Sequence, residues 1–440
     1  MRPGGLFFAL VGEKFDGHAF VLDALKKGAA AAVVSRDVGL PAEFAGRCLR
    51  VADTRRALGD LARCYVKRWG GKVVAITGSN GKTSTKDMTL HALSGWTPAR
   101  KSPSSFNNEI GVPHSIFQLE ETDKVAVLEM GTSGAGEIKR LAEIACPTIG
   151  AVTNIAETHL SELGTIHGVA AAKAELLDAL PNDGWAVLNA DDAMTLRLGW
   201  RRQCRVITFG MSECAAVRGL KVRAGAWGSE FELGTGEACA LPVPGRHNVM
   251  NALAAIAICD ALGMKKADAA ARLATFQPSP MRLARETVGQ VTIINDAYNA
   301  NIRSMEAALS VLREMPVSGR RVMLCGDMLE LGARSGELHR RLGKLICESG
   351  VRVLVTAGPF ARMAGEVARR SSRGVEVHHA DDVMEAADAL ASLLRPRDVL
   401  LVKGSRGMAL ERAIEVVKGK LQAQGEATEA PRAAAALLVT

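Results

Sequence analysis

The feature that most restricts the fold is an alternation of short β-rich runs with helical stretches rich in Ala, Leu, Glu and Arg. The runs are "AAAVVS" (30–35), "VVAIT" (73–77), "VAVLEM" (125–130), "IGAVTNI" (149–155), "WAVLNAD" (185–191), "VTIINDAY" (291–298), "RVMLCGD" (321–327), "VLVTAG" (353–358) and "DVLLVKG" (398–404). Such alternation predicts an α/β fold, with parallel sheets covered by helices. Ligands of such folds bind at the carboxyl ends of the strands, and most of these runs end in polar or glycine-containing turns.

The length of 440 residues predicts more than one domain, because single cores rarely serve chains of this size. Two changes in composition mark candidate boundaries: "RWGGKV" (68–73), and "FQPSPMR" (276–282) with its two prolines. We therefore predict domains over 1–71, 72–279 and 280–420. The Ala-rich segment 421–440 is predicted to be a disordered tail.

Charge and cysteine usage indicate a cytoplasmic enzyme. The net charge of +8 suits a polyanionic ligand, but the basic residues are scattered and not interleaved with aromatic ones, so we predict no nucleic-acid partner. The nine cysteines form no C-x-x-C pair and no zinc spacing, which is typical of a reducing compartment. The apolar run from Leu6 to Val11 is far shorter than a membrane span, so we predict no membrane insertion.

The stretch "AITGSNGKTSTKD" (75–87) resembles a phosphate-binding loop, although Ile76 stands where the strict motif requires its first glycine. A predicted strand precedes the turn and a predicted helix begins at Lys82, which is the context that a phosphate loop needs. Backbone N–H groups and Lys82 would then face phosphates, and the Thr83 hydroxyl would bind Mg²⁺. The alternative is a glycine turn with a solvated lysine.

Two further side chains are candidate Mg²⁺ ligands at neighbouring strand ends. Glu129 closes an apolar run, and a carboxylate in such a place is costly unless it is paired or bound to metal. His159 follows "AVTNIAETHL", where an ordinary buried histidine is an equally good interpretation. Asn154 and Glu157 are weaker neighbouring candidates.

Several motifs together resemble the Mur ligases, the ATP-dependent amide-forming enzymes of peptidoglycan precursor synthesis. They are "GSNGKTS" (78–84), "EMG" (129–131), "TNIAETHL" (153–160), "NADD" (189–192) and "PGRHNVMNALAA" (244–255), and they occur in the order seen in that family. The family uses a shortened G-x-x-G-K-T/S loop, so the missing glycine is expected within it.

Further segments resemble the branch of the family that adds D-alanyl-D-alanine to a UDP-N-acetylmuramoyl-tripeptide. They are "SFNNEIGVP" (105–113), "NDAYNAN" (295–301), "GDMLELG" (326–332) and "VKGSRGMALE" (402–411). The resemblance covers about 1–420. It implies a monomer with a UDP-substrate domain, a central P-loop ATPase-like parallel sheet and a C-terminal Rossmann-like domain. The alternatives are a sibling ligase that adds a single amino acid, and a nucleotide-binding regulator that has lost ligation.

The resemblance also implies roles for the phosphate loop and its neighbours. Lys82 and Thr83 would hold the γ-phosphate and Mg²⁺, Glu129 would bind that ion, and His159 would bind a second Mg²⁺ that reaches the substrate carboxylate. Lys173 matches a lysine that related enzymes carbamylate with CO₂, and the carbamate would help to hold the second metal. A surface lysine on an amphipathic helix is the alternative.

The nucleotide pocket implied by the family is drawn from two domains. Asn248 and Asn251 match positions that meet the adenine, and Arg282 matches an arginine that approaches the ATP phosphates when the domains close. Asp296 and Tyr298 would complete the pocket. The loop itself contributes Gly78, Ser79, Asn80, Gly81, Lys82, Thr83 and Ser84.

Substrate contacts are expected from three polar segments. Asn299 and Asn301 are candidates for D-alanyl-D-alanine. Ser105, Asn107 and Asn108 have short polar side chains that suit sugar, pyrophosphate or acyl phosphate oxygens. Lys403, Ser405 and Arg406 follow a predicted strand and are the third set of candidates. Because Gly/Ser/Asn clusters are usually turns, a purely structural role is the alternative for these residues.

The chain departs from the family pattern in two places. The first domain of this branch normally begins with an additional segment that carries a Ser-Arg pair, whereas this sequence begins "MRPGGLFFALVGEKFDGHAF". We therefore expect that the first strand of this domain is missing, through a start assigned too far downstream or with weaker binding of the nucleotide sugar. Ile302 also stands where the family usually has proline.

Overall fold

The structure is a computed structural model that describes residues 3–12, 14–199, 203–225 and 227–436. In these residues the strands form three sheets, which are mainly parallel and covered by helices. Each of the nine predicted β-rich runs contains a strand. The predicted α/β class is therefore confirmed.

The first sheet is small and parallel, in the order β1-β2-β3. Its strands and flanking helices are β1 (Leu6–Phe8), α1 (Val21–Lys26), β2 (Ala31–Val34), β3 (Cys48–Arg50) and α2 (Thr54–Trp69). Helix α2 begins where the Asp53 carboxylate accepts hydrogen bonds from two N–H groups of its first turn, and it ends at Gly70 in the left-handed conformation. This sheet precedes the phosphate loop along the chain.

The second sheet has the order β12-β11-β10-β9-β8-β7-β4-β6-β5. Its strands are β4 (Lys72–Thr77), β5 (Ala99–Lys101), β6 (Val125–Glu129), β7 (Ile149–Val152), β8 (Trp185–Asn189), β9 (Arg205–Gly210), β10 (Val217–Ala224), β11 (Ser229–Leu233) and β12 (Ala238–Leu241). All neighbouring pairs from β5 to β10 are parallel, and β10, β11 and β12 pair antiparallel. Because β4 lies between β6 and β7, the ends of these three strands meet at one edge.

Helices cover this sheet. They are α3 (Lys82–Leu93), α4 (Gly111–Ile116), α5 (Glu137–Ala145), α6 (Leu160–Leu163), α7 (Ile166–Asp178), α8 (Ala193–Arg197), α9 (Arg246–Leu262) and α10 (Lys266–Leu273). Helix α9 is buried over most of its length and packs against α3, as expected for a helix that is apolar on all sides. Helix α3, which begins at the phosphate loop, is therefore held firmly by the core.

The third sheet has the order β13-β14-β18-β15-β16-β17. Its strands are β13 (Ala284–Val288), β14 (Val291–Asn295), β15 (Arg321–Gly326), β16 (Val353–Ala357), β17 (Glu376–Ala380) and β18 (Val399–Lys403). Only the β13–β14 pair is antiparallel among these described strands. Among the described residues the last strand in sequence, β18, thus lies inside the sheet.

The helices of this third part are α11 (Ile302–Glu314), α12 (Ser335–Glu348), α13 (Pro359–Arg369), α14 (Val383–Leu393) and α15 (Glu411–Ala436). Helix α15 extends into the segment for which we predicted a tail, while residues 437–440 of that segment lie outside the described residues. The predicted domain boundaries fall between elements, after α2 and after α10, and the division itself stays a prediction. Among the described residues no helix combines the length and the apolar character needed to cross a membrane.

Candidate active site

The phosphate loop has the strand, turn and helix that the sequence predicts. Strand β4 ends at Thr77 and α3 begins at Lys82, with Gly81 between them at a φ of +82°. A Cβ atom at Gly81 would lie 2.3 Å from the Asn251 side-chain oxygen, so both the backbone angle and the close approach require glycine. The free N–H groups at the start of a helix favour an anion such as phosphate.

Lys82 folds back over this loop. Its Nζ donates a hydrogen bond to the Gly78 carbonyl oxygen at 2.7 Å. Burial lowers the pKa of Lys82, the nearby Arg282 lowers it further, and the Glu129 carboxylate opposes both effects. The lysine therefore lies at the loop, in a place where an added anion would stabilise its charge.

Thr83, Glu129 and Arg282 form a chain of hydrogen bonds beside the loop. The Arg282 guanidinium donates to the Thr83 hydroxyl at 2.7 Å, and this hydroxyl donates to Glu129 Oε2 at 2.6 Å. The other carboxylate oxygen of Glu129 accepts from Asn107 Nδ2 at 2.9 Å. Residues far apart in sequence thus meet at the ends of β4 and β6.

The oxygens at this point fit a magnesium ion. Thr83 and Glu129 supply a hydroxyl and a carboxylate oxygen 2.6 Å apart, which are the hard ligands that Mg²⁺ prefers. No cluster of three or more His, Cys, Asp or Glu side chains that could hold a metal occurs in the described part of the chain. This agrees with the usual way of binding Mg²⁺, through one or two carboxylates together with phosphates and water.

His159 lies at the end of the same cavity in a left-handed conformation, with a φ of +54°. Its Nδ1 lies 2.8 Å from Oε2 of Glu330, which comes from the third sheet region and is also left-handed. Burial lowers the pKa of His159, and the Lys82 and Lys173 charges act in the same direction, against Glu330. With Nδ1 engaged by a carboxylate, Nε2 is the ring atom left for a ligand.

Lys173 is buried in α7 and does not line the cavity. Burial lowers the pKa of Lys173 to about 7, and the charge of Lys82 adds to that effect. An unperturbed lysine is neutral in only roughly one molecule in 3,000 at pH 7. The side chain is therefore not the solvated surface lysine of the alternative interpretation.

The two asparagines predicted to meet adenine bond mainly with the protein itself. Asn248 Nδ2 donates to the Pro244 carbonyl at 2.8 Å, and Asn251 Nδ2 donates to Asn248 Oδ1 at 3.2 Å. The Asn251 oxygen lies close enough to Gly81 to exclude a Cβ atom there. Both residues line the cavity, and a contact with the base stays a prediction.

Arg282 is presented by an unusual backbone segment. Met281 and Leu283 on either side of it have φ values of +59° and +54°, and each such non-glycine residue costs of order 1–3 kcal/mol. The guanidinium lies 4.1 Å from the centre of the Tyr298 ring, and the Asp296 carboxylate accepts from the Leu283 N–H at 3.1 Å. The segment "NDAYNAN" therefore helps to hold this arginine at the cavity.

The same segment is anchored by Lys403 at the end of β18. Lys403 Nζ bonds Asp296 Oδ2 at 2.6 Å and the Asn299 carbonyl oxygen at 2.9 Å. Asn301 caps α11 through Ser304 and donates to Asn80 Oδ1 at 2.6 Å. Asn301 thus connects the third sheet region to the phosphate loop, and its contact with D-alanyl-D-alanine stays a prediction.

Three of the remaining candidate substrate residues bond with other parts of the protein, and the side chain of the fourth, Ser105, bonds with none that the structure describes. Asn108 accepts from the Gly111 N–H at the start of α4, and Ser405 accepts from the Leu329 N–H at 2.8 Å. Arg406 is exposed and pairs with Glu411 at 2.6 Å. Ser105 Oγ is buried and has no hydrogen-bond partner among the described residues.

One cavity of about 920 Å³ brings most of the candidates together. It is lined by Ser79, Asn80, Gly81, Lys82, Thr83, Ser84, Asn107, Asn108, Glu129, His159, Asn248, Asn251, Arg282, Asp296, Tyr298, Asn299, Asn301 and Lys403. Asn154 also lines it, and the candidates that do not line it are Gly78, Ser105, Glu157, Lys173, Ser405 and Arg406. The structure thus gathers the nucleotide set more completely than the substrate set.

Sequence reasoning missed three groups at this site. Lys86 is fully buried beside Glu129. Its spacing of four from Lys82, which places both lysines on one helix face, could have indicated that it lies near the site. Glu330 contacts His159, and the guanidinium of Arg334 bonds the Glu157 carboxylate from the same loop. The motif "GDMLELG" contained Glu330, but no pattern indicated what it faces.

Comparison with known proteins defines the class of this chain. Three family models match it in order: "Mur ligase family, catalytic domain" over 1–65, "Mur ligase middle domain" over 76–259 and "Mur ligase, glutamate ligase domain" over 281–406. The chain belongs to the Mur ligase family.

Within that family, several similar proteins that match over most of this chain carry the same name. The UDP-N-acetylmuramoyl-tripeptide–D-alanyl-D-alanine ligase of Bacillus subtilis is 36% identical over 95% of this chain and 90% of its own length. A crystal structure of MurF from Acinetobacter baumannii matches with a TM-score of 0.86 at 31% identity, over 95% of this chain and 91% of that one. MurF from Thermotoga maritima in complex with ADP matches with a TM-score of 0.85 at 27% identity, over 96% of each chain.

Proposed function

We propose that this chain is an ATP-dependent ligase that joins D-alanyl-D-alanine to a UDP-N-acetylmuramoyl-tripeptide and releases ADP and phosphate. The named relatives support the reaction, because the match extends over most of both chains. The observation that carries the proposal is the contact of Arg282 with Thr83 beside Glu129. It brings a cation from one part of the chain to the phosphate loop of another.

In the first step, a carboxylate oxygen of the tripeptide attacks the γ-phosphorus of ATP, and ADP leaves. The product is an acyl phosphate. Two anionic groups must approach each other, so the barrier falls when fixed positive charges face both of them. Lys82 and Arg282, which lie together at the loop, supply those charges.

The residues of this chain would hold Mg²⁺ through Thr83 and Glu129, and a second ion through His159 and a carbamate on Lys173. When bound, Mg²⁺ neutralises and orients phosphate oxygens. Glu129 is 2% exposed and already accepts two hydrogen bonds, so its oxygens have defined positions before any ligand enters.

The buried state of Lys173 supports its carbamylation. Only a neutral amine attacks CO₂, and the pKa of about 7 leaves roughly half of Lys173 neutral at pH 7. The nitrogen bonds the carbon of CO₂ and loses a proton, which turns the side chain into an anion. That anion would lie close enough to Lys82 and His159 to interact with both. The charge of Lys82 already acts on Lys173, and the charge of Lys173 already acts on His159.

In the second step, the amine of D-alanyl-D-alanine attacks the acyl carbon, and the tetrahedral intermediate expels phosphate. We assign the amine side of the cavity to "NDAYNAN", with Asn299 and Asn301 as contacts. The bonds of Lys403 to Asp296 and to the Asn299 carbonyl support this role, because they fix the loop that presents both asparagines.

The UDP-substrate is assigned to the first domain, 1–71, together with Ser105, Asn107 and Asn108. The central domain, 72–279, holds ATP, and the third domain, 280–420, closes over it. Lys403 contributes at the third-domain side, while Ser405 and Arg406 lie farther from the cavity. We also propose that the protein is cytoplasmic and monomeric. Analytical ultracentrifugation would test the monomeric state.

Phosphate release measured with different amines tests the function. Turnover should require ATP, the UDP-linked tripeptide and D-alanyl-D-alanine together. Full activity with a single amino acid or a diamino acid would instead show a sibling ligase. Binding of ATP without any turnover would show a nucleotide-binding regulator.

A further inference from the structure

One fully buried lysine lies beneath the phosphate loop. Lys86 follows Lys82 by four residues on α3, and its side chain is 1% exposed. A buried ammonium group is costly unless acceptors surround it. The acceptors of Lys86 therefore indicate what this residue is for.

The two acceptors of Lys86 come from different segments. Its Nζ lies 3.5 Å from Glu129 Oε2, at the end of β6. It also donates to the carbonyl oxygen of Ser104, which is in the left-handed conformation with a φ of +44°. The ammonium group thus joins the carboxylate at the loop to the segment 102–108 that follows β5.

Segment 102–108 also wraps around Glu129 through neutral groups. The Glu129 N–H donates to Ser102 Oγ at 3.2 Å, and Asn107 Nδ2 donates to the carboxylate at 2.9 Å. The Asn107 carbonyl accepts from the Gly131 N–H at 2.9 Å. Lys86 adds a positive charge to this network from beneath, on the side away from the cavity.

We infer that Lys86 is a positioning residue that couples the nucleotide end of the cavity to the UDP-substrate end. This inference rests on the proposed function, in which Glu129 serves the nucleotide and segment 102–108 serves the UDP-substrate. Lys86 does not line the cavity, so it acts through its partners. If either acceptor moved away, the buried ammonium group would lose one of its two close partners. The position of Glu129 therefore also fixes the position of the Ser104 turn.

The test compares binding of the UDP-tripeptide with and without saturating Mg-ADP, by calorimetry on the full chain. In the wild type, we expect Mg-ADP to tighten binding at least about fivefold, the lower end of usual coupling between sites. Lys86→Met should reduce that ratio to less than twofold, and Lys86→Arg should restore part of it.

Lys101→Met is the matched control. Lys101 also pairs with an acidic residue of α3, Asp87 at 2.6 Å, but it is 34% exposed and its Nζ bonds neither Glu129 nor Ser104, the two partners of Lys86. It should keep the wild-type ratio. Equal loss of coupling in Lys101→Met and Lys86→Met would overturn the inference, as would a wild-type ratio in folded Lys86→Met or no tightening in the wild type.

A second measurement avoids any loss of folding in Lys86→Met. Hydrogen exchange on the wild type should show that Mg-ADP alone slows exchange of the amides in 103–108 at least threefold, and unchanged exchange would overturn the inference. A wild type that shows coupling but does not use D-alanyl-D-alanine in the phosphate-release assay would contradict the proposed function and leave the coupling intact.

Discussion

The two ends of the cavity are built differently. At the phosphate end, Glu129 ends β6, and Thr83 lies in the first turn of α3, which follows the neighbouring strand β4 and is packed into the core. At the other end, Glu330 reaches His159 from the region of a separate sheet. The bond between Thr83 and Glu129 lies within the central sheet region, and Arg282 joins it from the third part of the chain. The other end exists only while the two regions are in contact, so substitutions at the two ends should have different sizes of effect.

The largest effect is expected at the phosphate end. Lys82→Ala removes a charge that faces the transferring phosphate, so kcat should fall roughly 10³-fold while circular dichroism stays unchanged. Lys101→Ala, which removes an exposed lysine that pairs with Asp87, should stay within about twofold of wild type. Turnover of Lys82→Ala near the wild-type rate in the phosphate-release assay would refute the phosphate assignment.

A smaller loss is expected on removing Lys173, which lies behind the phosphate end. Lys173→Ala should lower kcat roughly 10²-fold, the upper range for loss of a group that orients a metal site, and added formate or acetate should restore part of it by replacing the carbamate anion. The same additive should not rescue Lys82→Ala. Full activity of Lys173→Ala without any additive would exclude a role for the carbamate.

The contacts between the two regions should matter less. Glu330→Ala removes the carboxylate that bonds His159, and half-exposed pairs of this kind are worth about 0.2–1 kcal/mol. We expect kcat/KM to fall roughly two- to fivefold with an unchanged affinity for ADP. Glu366→Ala is the control, because Glu366 pairs with Arg362 within α13 of the same region. Equal effects of the two substitutions would argue against a role for the contact across the interface.

The smallest effect concerns the loop that carries Glu330. His339 is buried, accepts from the Met328 N–H through Nε2 and bonds the Ser335 carbonyl through Nδ1, so it is neutral in the fold, and burial lowers the pKa of His339. Between pH 6.5 and the lower pKa that His339 has in the folded chain, only the unfolded chain binds the proton. The free energy of unfolding therefore falls as the pH decreases. At pH 5.5 this amounts to at most about 1.4 kcal/mol.

His339→Gln should remove that part of the pH dependence. Between pH 7.5 and 5.5, the melting temperature of the wild type should decrease by roughly 2–4 °C more than that of the variant, measured by calorimetry on both. Parallel decreases would show that the charge state of His339 does not contribute. The carboxylate of Asp327 is the neighbouring charge that opposes the shift.

The sequence predicted the phosphate end because strand order places its residues. A carboxylate at the end of β6 must lie next to the turn after β4 when the two strands are paired, and the motif supplied the rest. The strands from β9 to β12 were not predicted, because several of their residues alternate between buried and exposed and break the apolar runs.

The other end could not be predicted, since it depends on how two regions meet. Asn301 was chosen as a substrate contact, yet its side chain caps α11 and bonds Asn80. Lys86 was not among the predicted site residues, and a lysine in a helix usually faces solvent. Its burial is a consequence of the surrounding fold, and no local pattern indicates it.

The position of β18 has a consequence for synthesis of the chain. This strand, the last one that the structure describes, lies between β14 and β15, and it carries the Lys403 that anchors "NDAYNAN". While residues 399–403 are still in the ribosome, β14 and β15 have open edges and the third sheet cannot close. The earlier sheets can form first, but the contacts of Lys403 with "NDAYNAN" form only after β18 has been synthesised. Chains released before residue 399 would expose those edges and should be the aggregation-prone products of interrupted synthesis.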